Sequence, residues 1–195
     1  MLPATRQEQK AVTHSKLVDG AMELFAREGI AQTTTADIAK AVGMSHGVIF
    51  LHFPKRDDLV IAVIDEFARR LSTEFHTALE RDLGMRALLR AHLTVLAEFE
   101  PFYARLVAEA PLLPAKVRST LLMLQAYVSH QLFLALERER ALGKARAFAR
   151  PLLFNTWIGL VHHYLVNRDV FATGDSVIAE MGETLVNHFM TMVRA

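Results

Sequence analysis

The segment from Thr34 to Phe53 constrains the fold more than any other stretch of this sequence, because it predicts two short helices joined by a tight turn. Thr34 can cap the first helix, and Asp37 can reach back to it as in a capping box, although Glu or Gln is the more usual partner. Gly43 suits the backbone that ends a helix, and Ser45 can cap the second helix. Two helices joined in this way form the helix-turn-helix, which places its second helix in the major groove of DNA.

The rest of the chain has helical periodicity, and no run of alternating apolar and polar residues is long enough to build a sheet. Hydrophobic residues make up 52% of the sequence and the mean hydropathy is +0.21, so the chain can bury a large core. We therefore predict an all-α fold with about nine helices. The first of them is expected to begin at a cap on Thr13 or Ser15 and to end near Glu28, before a glycine.

A long helix is expected to follow the helix-turn-helix and to join it rigidly to the rest of the chain. It is predicted to begin near Lys55, after a Phe-Pro pair that interrupts the pattern, and to reach Asp82 or Leu83. We place the boundary between two domains near the start of this helix. The predicted domains are residues 1–58 and residues 59–195.

Composition excludes several classes of protein. The chain has no cysteine, which excludes disulfide scaffolds, Cys-ligated zinc and thiol catalysis. Its first residues lack the apolar segment of a signal peptide, and no apolar run reaches about 18 residues, so we expect a cytoplasmic protein without a membrane span. Motifs of hydrolases, zinc proteases and phosphate-binding loops are absent, so no enzymatic activity, cofactor or metal is expected.

The net charge is only +1, and residues 1–60 carry equal numbers of acidic and basic side chains. Any field that faces DNA must therefore come from local placement.

Further residues extend the helix-turn-helix pattern on both sides in a fixed order. They are Ala21, Leu24, Phe25, Gly29, Thr33, Thr34, Asp37, Ile38, Ala39, Val42, Gly43, Met44, Ser45, Gly47, His52, Phe53 and Leu59. This run resembles the DNA-binding domain of the TetR family of bacterial transcriptional regulators. The C-terminal part is similar only in the number and lengths of its helices. The resemblance implies an N-terminal three-helix, helix-turn-helix DNA-binding domain followed by a larger helical domain for ligand binding and dimerisation.

The resemblance also implies which residues contact DNA. They are Thr34, Thr35, Ser45, His46, Gly47, Val48, Phe50, His52, Lys55 and Arg56. Ser45–Leu51 would be the recognition helix, with Ser45, His46 and Val48 facing the bases. A His can donate to purine N7 or O6, and a Val suits a thymine methyl group. The two threonines lie at a helix N-terminus, where phosphates are favoured. The residues from His52 onward would contact the backbone near the next helix, which positions the protein without reading sequence.

Two residues depart from the family pattern. Phe50 stands where the family usually has Tyr, so a phenol–phosphate hydrogen bond is missing and DNA binding is expected to weaken modestly. Arg56 stands where the family commonly has Lys, and with Lys55 before it the positive charge is kept. Neither departure changes the assignment.

A set of aromatic and polar residues in the C-terminal part could line a small-molecule site. They are Phe102, Tyr103, Met123, Tyr127, His130, Phe154, Trp157 and His163. An apolar cavity with a few convergent polar groups is typical of such sites, and the resemblance places the pocket among the middle helices. The simplest alternative is that these residues form the core. The pair His162-His163 is not expected to bind a metal, because adjacent side chains on a helix point about 100° apart.

Two functions are compatible with these observations. The first is a repressor that binds a palindromic operator as a homodimer, with half-sites roughly 34 Å or a small multiple apart, and that a small apolar or aromatic effector releases. The two C-terminal helices, predicted at Ala147–Asn167 and Asp175–Val193, would form a four-helix seam with their partners. The second is a constitutive or protein-responsive DNA-binding regulator without a small-molecule ligand.

Overall fold

The computed structural model describes residues 5–81 and 84–195, and these form ten α-helices and a short 3-10 helix at Ala110–Leu112. The helices are α1 (Arg6–Glu28), α2 (Thr35–Ala41), α3 (His46–His52), α4 (Arg56–Glu80), α5 (Gly84–Glu98), α6 (Glu100–Glu109), α7 (Ala115–Ala141), α8 (Arg150–Val166), α9 (Arg168–Phe171) and α10 (Val177–Val193). The described ranges contain no strand beyond an isolated bridge between Ala145 and Arg194. The all-α prediction is confirmed. The helix beyond the expected nine is the four-residue α9.

Helix α1 begins earlier than the sequence analysis expected. Thr5 and Glu8 form a capping box, in which the Glu8 N–H donates to Thr5 Oγ1 at 3.2 Å and the Thr5 N–H donates to Glu8 Oε2 at 2.7 Å. This cap starts the helix at Arg6, so the predicted start at Thr13 or Ser15 was wrong. The Thr13 hydroxyl instead donates to a carbonyl one turn back within the helix. The result is a longer α1 whose first two turns are exposed.

The first three helices pack around apolar side chains from α1, α2, α3 and the start of α4. Leu17 and Phe25 of α1, Ile38 of α2, Ile49 of α3 and Leu59 of α4 are all completely buried. Each lies on the side of its helix that faces the core, as in an amphipathic helix. The core therefore fixes the orientation of both short helices of the helix-turn-helix.

Helix α4 connects this N-terminal core to the remaining helices. Its N-cap is Lys55, which confirms the predicted start near that residue, and buried side chains from Val60 to Phe75 pack against α1, α5 and α7. The helix ends at Glu80, and its predicted end at Asp82 or Leu83 lies outside the described residues. The predicted boundary after residue 58 falls in the first turn of α4, and this division remains a prediction.

Two polar contacts tie the helix-turn-helix region to the C-terminal helices. The Glu109 carboxylate at the end of α6 accepts a hydrogen bond from the Ala31 N–H at 2.6 Å. Lys116 of α7 lies 2.8 Å from the Asp58 carboxylate, and its hydrogen bond is the main cause that lowers the pKa of that carboxyl. Gly29 has φ of 94°, and a Cβ at that position would lie 2.7 Å from Glu109. The loop after α1 therefore requires glycine both for its backbone and for the contact with α6.

The C-terminal helices form a bundle in which α6 and α10 are joined by a buried carboxylate. Glu100 is 1% exposed and accepts hydrogen bonds from the Ser176 hydroxyl at 2.5 Å and from the N–H groups of Val177 and Ile178 at 2.8 and 3.3 Å. It satisfies donors that the first turn of a helix otherwise leaves free. The start of α10 is therefore fixed to the start of α6.

Two further features of the bundle bear on the predictions. Helix α8 begins at Arg150 rather than Ala147, with Pro151 in its first turn, where a proline is tolerated. Ser176 caps α10, which begins at Val177 rather than Asp175, and its side chain accepts from the Ala179 N–H. Among the residues that the structure describes, no helix is long and apolar enough to span a membrane.

Candidate nucleic-acid interface

The first helix of the helix-turn-helix is capped as the sequence predicted. Thr34 Oγ1 accepts from the Asp37 N–H at 3.2 Å, and Asp37 Oδ2 accepts from the Thr34 N–H and hydroxyl at 2.9 and 2.6 Å. Gly43 begins the turn with φ of 66°. Ser45 occupies the N-cap position of α3, but its side chain makes no capping hydrogen bond and the helix begins at His46. The Ser45 hydroxyl is therefore free of any intrahelical role.

Helix α3 buries one side and presents the other to solvent. Ile49 is fully buried and Val48 is half-buried, whereas Ser45, His46, Gly47 and Phe50 are exposed. Ile49 thus anchors the helix in the core, and its neighbours are available for contact. This is the arrangement that a recognition helix requires.

One exposed residue of α3 was missed by the sequence analysis. Leu51 is 79% exposed, so a large apolar side chain projects into water from the helix proposed to face DNA. Leu51 lies two positions after the buried Ile49 and hence off the buried stripe. This spacing from Ile49 predicts an exposed side chain at Leu51.

The His46 ring is held by two neighbours. Its Nε2 lies 2.9 Å from the Thr35 hydroxyl oxygen, in a hydrogen bond between α3 and α2. Its ring meets the Phe50 ring edge-on, with centroids 4.7 Å apart. The structure thus brings together three of the predicted DNA-contact residues, Thr35, His46 and Phe50, and a hydrogen bond joins the first two.

Arg56 turns inward, although it was predicted to contact phosphate. Its guanidinium donates to the carbonyl oxygens of Thr33, at 2.8 Å, and Ile30, and lies 6.0 Å from the centre of the Phe25 ring. The side chain is half-buried, and its Nε and one terminal nitrogen donate to the loop between α1 and α2. Lys55 is the exposed cation at the start of α4.

His52, at the end of α3, faces α1 more than solvent. Its ring lies 6.1 Å from the His14 ring, centroid to centroid, and its Nδ1 is buried without a hydrogen-bond partner among residues 5–81 and 84–195. Burial, followed by the charges of His14 and Lys10, lowers the pKa of His52. A neutral, partly enclosed imidazole is a weaker phosphate ligand than an exposed cationic one.

The structure does not bring the predicted ligand-site residues into one cavity. Phe102, Tyr103 and Trp157 are buried among other side chains, whereas Met123, His130 and His163 are exposed and Tyr127 and Phe154 are half-buried. Two of the eight line one groove of about 400 Å³ between α4 and α7. These two are Met123 and Tyr127.

Polar groups deep in the bundle pair with one another. Trp157 Nε1–H donates to His92 Nδ1 at 3.0 Å, and Tyr103 Oη lies 3.2 Å from Nε2 of His162, not of the predicted His163. Burial lowers the pKa of His92 to about 3 and that of His162 to about 4, and it raises the pKa of Tyr103. All three side chains are therefore neutral at neutral pH.

Comparisons with known proteins agree with the geometry of the helix-turn-helix. Residues 17–63 match the family model described as bacterial regulatory proteins, tetR family. The HTH-type transcriptional repressor Rv3405c of Mycobacterium tuberculosis is 38% identical over 96 residues, which cover 49% of this chain and 48% of that protein. The regulator TtgR of Pseudomonas putida is 35% identical over 65 residues, 33% of this chain and 30% of its own. The chain thus matches half or less of the length of these relatives.

Solved structures extend the similarity of fold to nearly the whole chain. A TetR-family regulator of Agrobacterium tumefaciens has a TM-score of 0.78 at 21% identity, covering 95% of this chain and 100% of that one. A regulator of Saccharomonospora viridis, solved in complex with choline, also has a TM-score of 0.78, at 17% identity, covering 95% and 99%. At these identities the similarity shows the fold alone. Residues 17–63 thus match the TetR family of bacterial regulatory proteins, and the chain has the fold of a solved TetR-family structure over most of its length.

Proposed function

We propose that this protein is a transcriptional repressor that binds a palindromic DNA operator as a homodimer and is released by a small apolar or aromatic effector. The observation that carries the proposal is the position of α3, which Ile49 anchors in the core while His46 and its neighbours face solvent within the segment that matches the family. In this proposal, residues 1–58 bind DNA and residues 59–195 bind the effector and pair the subunits. The protein acts in the cytoplasm, where the chromosome lies, without an enzymatic step.

The proposed DNA contacts divide into base reading and backbone positioning. Ser45 and His46 are exposed at the start of α3 and face the base edges, and Leu51 joins Val48 as an apolar contact for thymine methyl groups. Lys55 binds phosphate. Contacts of this kind set the register of the protein without reading sequence.

The homodimer is proposed to form through α8 and α10. Helix α8 carries the exposed apolar residues Leu152 and Val166 in addition to a fully buried stripe, so it is apolar on more than one side. Such a helix is stabilised when a partner covers its outer side. A two-fold axis through this seam gives two recognition helices and hence a palindromic site.

The effector is proposed to bind in the groove between α4 and α7. Met123 and Tyr127 of α7 face Ile64 and Ala68 of α4 there, and the lining is mainly apolar. Helix α4 also carries Arg56, which holds the loop before α2. A ligand that separates α4 from α7 therefore favours conformations in which the two recognition helices are wrongly spaced, and the operator is released.

An alternative is a regulator without a small-molecule ligand. The burial of Phe102, Tyr103 and Trp157 favours it, because the aromatic residues expected to line a pocket fill the core instead. The two functions share the same DNA contacts and differ only in what releases the operator.

Footprinting of the DNA upstream of the protein's own gene tests the proposal. Purified protein should protect two symmetric half-sites and sediment as a dimer, and apolar or aromatic compounds should reduce the protection. Protection that no compound reduces would favour the alternative. Absence of any selective protection, there and on randomised duplexes, would refute both functions, and a stable monomer at micromolar concentration would refute the α8–α10 seam.

A further inference from the structure

Each of the three consecutive threonines at the start of α2 uses its hydroxyl inside the protein. The Thr33 hydroxyl donates to the Gly29 carbonyl at 2.7 Å, and that of Thr34 donates to Asp37. The Thr35 hydroxyl bonds Nε2 of His46 on the next helix. The Thr35 hydroxyl is therefore engaged within the protein, and the phosphate contact that the resemblance implies at this helix N-terminus stays a prediction.

We propose that Thr35 is a positioning residue that fixes the His46 ring for base reading, so that Nδ1 is the ring nitrogen left to contact DNA. The Thr35 hydrogen bond engages Nε2 from α2, and the edge contact with Phe50 supports the ring from one turn further along α3. Together they restrict rotation of an exposed ring that would otherwise move freely. The inference rests on the proposed DNA-binding function.

The two contacts determine what the ring can recognise. In a neutral imidazole one nitrogen donates and the other accepts, and a threonine hydroxyl can take either role. If the hydroxyl donates to Nε2, the proton lies on Nδ1 and the ring donates to purine N7, guanine O6 or thymine O4. If the hydroxyl accepts, Nδ1 accepts from the amino group of adenine or cytosine. The tautomer and the selected base must therefore agree.

Phe50 also acquires a role from this geometry. Tyrosine at position 50 would bring a hydroxyl to this part of α3, where phenylalanine offers only its ring to His46. The departure from the family pattern thus coincides with an aromatic contact that holds the base-reading side chain. Fixing the ring before binding reduces the conformational entropy lost when the complex forms.

The test compares four proteins: wild type, Thr35→Val, Thr35→Ser and His46→Ala. The valine variant keeps the shape of Thr35 without its hydroxyl, and the serine variant keeps the hydroxyl. Each full-length protein selects sites from a randomised duplex DNA library. In parallel, nitrogen-15 spectra of the DNA-free proteins report the tautomer and hydrogen bonding of His46. If valine at the start of α2 prevents folding, Thr35→Ala replaces it.

We expect His46→Ala to lose its preference at one base pair of each half-site and Thr35→Val to lose preference at the same base pair. A single lost hydrogen bond corresponds to roughly three- to tenfold in selectivity. Thr35→Ser should keep the wild-type site and the wild-type His46 signals, and Thr35→Val should shift those signals.

Three results would overturn the inference. Thr35→Val could weaken binding to all DNA sequences equally and lower the salt dependence of binding, which would make Thr35 a phosphate contact. His46 signals that are the same in Thr35→Val and wild type would show that the hydroxyl does not hold the ring. A selected base that does not match the observed tautomer would exclude Nδ1 as the reading atom. If wild type selects no site, the proposed function fails, while the spectra still decide whether Thr35 holds His46.

Discussion

Replacing Glu100 should reveal how strongly the start of α10 depends on one buried carboxylate. Glu100→Ala removes an acceptor that serves the Ser176 hydroxyl and the N–H groups of Val177 and Ile178. Both N–H groups belong to residues that are themselves buried, so water reaches them poorly. The carboxylate also lies where the positive end of the α10 dipole favours an anion.

The size of the effect follows from these contacts. Hydrogen bonds to a charged group contribute about 1.5–3 kcal/mol each, and a buried donor left without a partner costs about 1–3 kcal/mol. The Ser176 oxygen still accepts from the Ala179 N–H, and because Ser176 is only half-buried, water can accept from its own O–H; the two buried N–H groups therefore determine the cost. We therefore expect Glu100→Ala to lower the free energy of unfolding by about 3–5 kcal/mol, and Glu100→Gln, which keeps one oxygen acceptor, by about 1–3 kcal/mol.

Urea unfolding followed by circular dichroism measures these changes. All variants must be compared at one protein concentration, because the stability of a dimer depends on it. Glu98→Ala is the matched control, since Glu98 lies two residues away and pairs with Arg70 at the surface. Exposed pairs of this kind contribute about 0–1 kcal/mol. If Glu100→Ala is no more destabilising than Glu98→Ala, the capping argument is refuted.

Three further predictions concern DNA, pH and the groove. Lys55→Ala should weaken binding to all duplexes equally and lower the slope of log K against log salt concentration by about one, whereas His46→Ala should relax the preference at one base pair. If both variants lose affinity equally for all sequences in competition assays, this division of contacts is wrong. Burial lowers the pKa of His162 from 6.5 to about 4. The neutral His162 therefore stabilises the fold fully above pH 6.5, and this stabilisation is lost as the pH falls from 6.5 to about 4, by up to about 1.4 kcal/mol per pH unit. His162→Gln should flatten this dependence in urea titrations, and an unchanged dependence would show that the folded protein protonates His162 freely. Met123→Trp should fill the α4–α7 groove and prevent the effector from releasing DNA, without changing the DNA affinity measured in the absence of effector. Leu124→Ala, at the buried neighbour, should instead lower the free energy of unfolding by about 2–5 kcal/mol. If the effector still releases DNA from Met123→Trp, it binds elsewhere.

Local chemistry made the helix-turn-helix predictable. The Thr34–Asp37 box and the left-handed Gly43 depend on residues within four positions of each other, so the sequence contains all of the relevant interactions. The same rule applied to Thr5 and Glu8 would have found the true start of α1, because a threonine followed three residues later by glutamate is the usual signature of a capping box.

Side-chain direction over long sequence distances could not be predicted in this way. Arg56 turns inward because carbonyl oxygens more than twenty residues earlier lie within its reach, which only the folded chain determines. His162 and not His163 meets Tyr103, because neighbours on a helix point about 100° apart and the packing of α6 against α8 selects one of them. The residues predicted to line one pocket are therefore divided among the core, the groove and the surface.

The bond between Glu109 and the Ala31 N–H limits which N-terminal domains could replace this one in a chimera. A transplanted domain must supply glycine at position 29, because any side chain there would meet Glu109 as well as strain a backbone with φ of 94°. It must also supply a residue other than proline at position 31, because proline has no N–H to donate to α6. A chimera that satisfies both conditions keeps the link to α6 whatever bases its recognition helix reads. Under the proposed function, DNA specificity can then be exchanged between relatives while this contact with α6 is retained.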